Sequence, residues 1–109
     1  MDSDIEYLIR KLKLDMLSFL YILASTKAVA LDVDEISRSI KNNQNADLRG
    51  IIGTLRRLRI DNQTFIIPAG RDSKGRLRWQ INESLVSKNE LSKLIEKILD
   101  KNLIVKPGV

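Results

Sequence analysis

The chain of 109 residues contains no cysteine and no histidine. The first absence excludes disulfides and thiolate metal sites. The second removes the commonest general base and the commonest transition-metal ligand. Glycine and proline are sparse, at five and two residues, and no repeat or low-complexity tract interrupts the sequence. Aromatics number only five (Tyr7, Phe19, Tyr21, Phe65 and Trp79), and they are not interleaved with basic residues as in single-strand-binding proteins. There is no long hydrophobic run. The most apolar stretch, Leu14 to Ala24, is interrupted by Asp15 and Ser18 and falls well short of the about 20 residues a membrane span needs. The acidic start, Met1-Asp2-Ser3-Asp4, lacks the basic opening of a secretory signal. These features predict a single soluble, cytoplasmic domain spanning residues 1–109, with 43% hydrophobic and 30% charged residues.

What the chain does have is a segregated positive charge. Between Arg38 and Arg78 there are ten cations and three anions, a net +7, although the whole chain carries only +5. Residues 1–37 hold four cations against seven anions, and residues 79–109 hold five against four. Concentration of charge on one block is what a phosphate-binding face requires, and the predominance of arginine strengthens that reading. A merely solvated basic face is the plainer alternative.

Periodicity gives the elements. Residues 4–25 carry a helical apolar stripe with a break near Leu14-Asp15, where Asp15 is a candidate cap. Ala28 to Leu31 reads as a short strand. Asp32 with Glu35 three residues on forms a capping box for a helix lined by Val33, Ile36 and Ile40, which explains the local acidic residues without a metal. Asn42-Asn43-Gln44-Asn45 is a polar turn.

A third helix is expected at 46–59, with Leu48, Ile51, Ile52, Leu55 and Leu58 on one side and Ala46, Gly50, Gly53 and Arg57 opposite, flanked by Arg49 and Arg56. Two glycines within a helix cost roughly 1 kcal/mol each relative to alanine, so close approach of another surface is expected there, either a groove or a neighbouring helix of the same chain or of a partner.

After an Asp61-Asn62-Gln63 turn, Thr64 to Ala69 is strand-prone and Gly70 to Gly75 is a basic loop. Arg76, Arg78 and Gln80 then alternate with Leu77, Trp79 and Ile81, giving a hairpin with one basic and one buried face. Trp79 is read as core. Ser87 and Glu90 open a last amphipathic helix over about 87–101, and Lys106 to Val109 reads as a loose end.

The order helix, short strand, helix, turn, helix, hairpin, helix resembles the winged helix-turn-helix superfamily of DNA-binding domains. The resemblance is carried by Leu31 to Ile36, by Thr54-Leu55-Arg56-Arg57-Leu58, and by the Phe65 to Ile81 hairpin, over a core of about residues 14–82. One departure is the absence of glycine after the third helix, where Ile60-Asp61-Asn62-Gln63 stands. The resemblance implies an α+β fold of three helices and a wing, with extra N- and C-terminal helices.

It further implies double-stranded DNA as partner, as for a small transcriptional regulator. The third helix would enter the major groove and the hairpin would touch backbone or minor groove. Arg49 would contact a base, and Gly50 and Gly53 would let the helix sit deep. Arg38, Arg56, Arg57, Arg71, Lys74, Arg76 and Arg78 would supply further phosphate contacts, with a salt slope of about −5 to −7. The terminal helices carry spare apolar surface, either to pack within one chain or to build a homodimer.

A winged-helix protein-interaction module in a replication, segregation or transcription assembly is the second reading, and a non-specific architectural DNA binder the third. No catalytic constellation, cofactor site or metal cluster is evident, so no enzyme is expected.

Overall fold

The first helical stretch is two helices, parted by Lys11-Leu12-Lys13. In the computed structural model, which describes residues 3–40 and 47–101, α1 spans Ser3–Arg10 and α2 spans Leu14–Ser25. The break falls where the sequence predicts it, but the cap does not. Lys13 occupies the N-cap position without a side-chain bond, while the Asp15 carboxylate lies inside the first turn and accepts the Met16 N–H at 2.7 Å. There its charge still favours the helix N-terminus.

Helix α2 is apolar on nearly every side, so it must be covered on nearly every side. Leu17, Phe19, Leu20, Leu23 and Ala24 are all buried. Around it lie α3 (Val33–Ser39), α4 (Leu48–Arg57), strand β5 (Leu77–Ile81) and α5 (Lys88–Lys101). The stripes of α1 and α5 turn inward as well: Ile5 and Ile9 from one, Leu91, Leu94, Ile95 and Ile98 from the other, join the same core. The surplus apolar surface of the terminal helices is thus used within one chain. Tyr21 adds a polar link across α2 and α5 by donating to Glu96 Oε1 at 2.9 Å, and burial, reinforced by that carboxylate, raises its phenol pKa.

The short strand predicted at 28–31 is confined to β1, Leu31–Asp32, since Asp32 must also cap α3. Its carboxylate accepts Glu35 N–H at 2.9 Å and its own N–H reaches Glu35 Oε1 at 3.0 Å, the reciprocal capping box expected from the spacing. The predicted turn at 42–45, with Lys41 and Ala46, lies outside the described residues, as does the tail from Asn102 onward.

Helix α4 is shorter than the expected 46–59. Asp47 caps it through the Gly50 N–H at 3.0 Å, and Leu58 leaves helical geometry. Arg59 therefore belongs to β2 (Arg59–Ile60), which pairs with β3 (Gln63–Thr64) around a two-residue turn. Asp61 and Asn62 both have positive φ, +52° and +65°. That is the geometry of a type I′ turn, which asparagine and aspartate tolerate nearly as glycine does. The turn that departs from the family pattern by lacking glycine is thus made by Asp61 and Asn62.

The hairpin consists of β4 (Ile66–Arg71) and β5, and the sheet order is β1-β5-β4, all antiparallel. Pro68 sits in β4, an edge strand, where a missing N–H leaves no ladder bond unmade. A register shift between Pro68 and Arg71 twists the hairpin toward its tip. The buried face is Trp79 and Ile81 with Phe65 and Ile66, packed toward α2 and α4. Trp79 is core, as expected.

Ser87 opens α5 by accepting the Glu90 N–H and donating to Glu90 Oε1, both at 3.1 Å. Lys88 beside it donates to the carbonyls of Thr26 and Ala28 at 2.8 and 3.0 Å, tying α5 to the loop before β1. The whole is an α+β assembly of five helices and a small antiparallel sheet among the described residues. No helix there is long and apolar enough to cross a membrane.

Candidate nucleic-acid interface

Helix α4 buries Leu48, Ile51, Ile52 and Leu55, which fixes the opposite side outward. Arg49, Gly50, Arg56 and Arg57 are exposed there and Gly53 is half-exposed. From Leu48 to Ile60 there is no acidic residue. Arg49 has no partner among the described residues and is free to meet a ligand.

The two glycines serve different purposes. A Cβ on Gly50 would stand 2.4 Å from Asp47 Oδ2 and 3.0 Å from its Cγ, so the bare backbone makes room for the capping carboxylate. Among the described residues, a Cβ on Gly53 would meet only Arg57 Nη1, at 3.6 Å, an ordinary contact. Packing of another helix of the same chain against this side, one of the two expectations, is therefore not the reason for either glycine. Gly50 answers to its own cap, and Gly53 borders open space.

The arginines at the end of α4 are oriented by their surroundings. Arg56 places its guanidinium 5.4 Å from the Trp79 ring centre, a cation–π contact with an indole that is itself buried. Arg57 folds back toward Thr54, Nη2 to Oγ1 at 3.5 Å. Together with Gly53 and Arg59 they border a groove of about 520 Å³ between α4 and the base of β4, whose polar lining includes Asn62, Gln63, Thr64 and Asn82. Arg59 is not among the contacts expected from the sequence, which places it at the end of the third helix. The turn expected at Asp61-Asn62-Gln63 is present, and the two-residue strand before it takes Arg59 out of the helix.

The hairpin tip is built around Asp72. Its carboxylate accepts the N–H of Lys74 at 2.8 Å and of Arg76 at 2.9 Å, while Gly70 and Gly75 take φ of +84° and +79°. The Arg76 N–H in particular holds the Asp72 carboxyl below the usual carboxylate range. Arg71 is exposed and donates to the Gly75 carbonyl at 2.8 Å, stiffening the tip. The Lys74 ammonium is exposed without a partner among the described residues.

Two hairpin cations expected on phosphate are partly engaged already. The Arg76 guanidinium pairs with Asp34 in the first turn of α3. Arg78 is half-buried, lies along the strand and donates to the Ala69 carbonyl at 3.2 Å, and its Nε is buried without a partner. Arg38, in the last turn of α3, is exposed.

Chemically, this arrangement can hold anions. Among the described residues, no cluster of histidine, cysteine, aspartate or glutamate is placed to bind a metal. The chain matches no protein-family model, no curated protein and no solved structure.

Proposed function

We propose that this chain is a winged helix-turn-helix protein that binds double-stranded DNA, as a small transcriptional regulator does. In this reading α4 enters the major groove and the β4–β5 hairpin is the wing. The observation that carries it is the conjunction of topology and charge. A helix, a two-residue strand, two further helices and a hairpin follow in that order, and β1 closes onto β5. The helix that would read DNA presents Arg49, Arg56 and Arg57 on its outward side, and the acidic residue at its start, Asp47, is spent on the N-terminal cap.

Arg49, near the N-terminal end of α4, is the base-reading candidate, since arginine pairs bidentately with guanine. Arg57, Arg71 and Lys74 are backbone contacts. Arg76 contributes only by exchanging Asp34 for a phosphate. The same proposal takes two copies per site. Because α1 and α5 bury their stripes within one chain, pairing would fall on the large apolar side chains still exposed near the N-terminus, Tyr7 (62%) and Leu14 (48%).

The test is fluorescence anisotropy of a random-sequence duplex at two salt concentrations, for the wild type and for an Arg49→Glu, Arg57→Glu double variant. Micromolar binding that weakens steeply with salt and is lost in the folded double variant supports the reading. Absence of binding at low salt sinks it. Binding unchanged by the charge reversal moves the contact elsewhere and turns the α4 side toward a protein partner. Equal affinity for all sequences makes the protein an architectural binder. Light scattering during the same titration reads the number of copies.

A further inference from the structure

The groove beyond the C-terminal half of α4 has properties that the contacts already named do not use. Three arginines, Arg56, Arg57 and Arg59, line it, and among the described residues no acidic one does. Its volume, about 520 Å³, falls within the range of about 300–1,000 Å³ typical of ligand sites, well beyond one inorganic anion. Its floor is prearranged. The Asn82 side chain is buried, with its Nδ2 donating to the Thr64 carbonyl at 3.0 Å and to Gln63 Oε1 at 3.5 Å, while its Oδ1 accepts the Ser84 N–H at 3.2 Å.

With its oxygen turned to Asn82, the Gln63 amide keeps its NH₂ as a donor for the groove. The Thr64 hydroxyl is spent on the Ile66 carbonyl at 2.7 Å, so it competes for nothing. Arg56 is steadied over Trp79, and the missing Cβ of Gly53 keeps the wall low beside Arg57.

Three arginines, one uncommitted amide NH₂ and no acidic lining residue describe a receptor for a phosphate-bearing chain. We propose that this groove is a phosphate subsite, in which Arg59 and Gln63 join Arg56 and Arg57 to hold the sugar-phosphate backbone of a nucleic-acid strand running past the end of α4. The proposal rests on the DNA-binding reading for the source of the phosphate. A free phosphorylated molecule offers the same chemistry. With the strand in the groove, the protein grips the duplex at two places: at the hairpin tip through Arg71 and Lys74, and near the base of the hairpin through Arg59.

The experiment compares wild type, Arg59→Gln and Arg59→Lys. Each is titrated with duplex DNA by anisotropy across a salt series, and with inorganic tripolyphosphate by amide NMR against chloride of matched ionic strength. Arg59 is exposed on a two-residue strand, so the variants should keep the wild-type melting temperature. The expected result is a three- to tenfold loss of duplex affinity in Arg59→Gln, with the salt slope reduced by about one and largely restored in Arg59→Lys. Tripolyphosphate should move the amides of Arg59, Gln63 and Asn82.

A wild type that binds duplex with steep salt dependence, while Arg59→Gln binds identically, overturns the subsite and leaves DNA binding standing. A wild type that does not bind duplex, with tripolyphosphate still moving those amides, upholds the phosphate subsite and overturns DNA as its source. Silence in both titrations overturns both.

Discussion

Replacing Gly53 with alanine should make the protein more stable and a poorer DNA binder. The position is inside α4, half-exposed and free of positive φ, so the substitution gains the helix propensity of alanine over glycine, about 0.8–1 kcal/mol. The new Cβ has one neighbour, Arg57 Nη1 at 3.6 Å, so no steric cost is set against that gain. For a domain of this size the melting temperature should rise by about 4–6 °C.

The same methyl group would stand on the side of α4 proposed to face the groove of DNA, and should weaken duplex binding about three- to tenfold, or about 0.7–1.4 kcal/mol. Gly50 supplies the internal control. Its Cβ would fall 2.4 Å from the Asp47 carboxylate that caps the helix, so Gly50→Ala must displace a cap worth about 1 kcal/mol and should gain nothing or lose stability.

Thermal melts followed by circular dichroism and anisotropy on one duplex measure both quantities for both variants. A lower melting temperature for Gly53→Ala would refute the account of free space beside it. Equal stabilisation by the two substitutions would refute the account of the Asp47 cap. A stabilised Gly53→Ala with undiminished duplex binding would remove the α4 outward side from the interface.

Leu55 is fully buried against α2 and the sheet, so Leu55→Ala should cost about 2–5 kcal/mol by chemical denaturation; a cost under 1 kcal/mol would mean that α4 is not part of the core. Asp34→Asn removes an exposed ion pair worth at most about 1 kcal/mol, so the melting temperature should hardly move, while duplex affinity should rise two- to threefold as Arg76 is freed; unchanged or weaker binding would exclude Arg76 from the interface. The Asp72 carboxyl should titrate below the ordinary aspartate value of about 3.9, chiefly because it accepts the Arg76 N–H. A lowered native pKa contributes stability that is present above the ordinary value and disappears as pH falls through the lowered one, so amide protection at Lys74 and Arg76 should be lost only in that acid window. An Asp72 that titrates normally would refute the turn geometry.

Much of the secondary structure was legible because periodicity and capping chemistry act locally. Asp32 with Glu35, Ser87 with Glu90, the Leu48-Ile51-Ile52-Leu55 stripe and the alternation through Trp79 each determine an element within a few residues. The errors fall where competition is between neighbours. Aspartate favours a cap, which points to Asp15, but Lys13, two residues earlier, holds that position. Periodicity carries the expected helix to Arg59, whereas pairing across the Asp61-Asn62 turn draws Arg59 into a strand.

Of the candidate site, the location of the cations along the chain could be read, but not their partners. Asp34 is 42 residues from Arg76, and Trp79 is brought beneath Arg56 only by the fold. The groove with Gln63 and Asn82 was invisible for the same reason, since amides carry no periodic signal.

The covering of α2 by α5 has a consequence for synthesis. Leu17, Phe19 and Leu20 leave the ribosome early, yet one of the surfaces that shields them, carried by Leu91, Ile95 and Ile98, emerges more than seventy residues later. At elongation rates of about 5–20 residues per second, the nascent chain holds an incompletely covered apolar helix for several seconds. The Lys88 ammonium, reaching back to the Thr26 and Ala28 carbonyls, then fastens the arriving helix to a segment made long before it. A ribosome stalled before α5 would therefore present an α2 that chaperones recognise, whereas one stalled beyond it would present a closed domain.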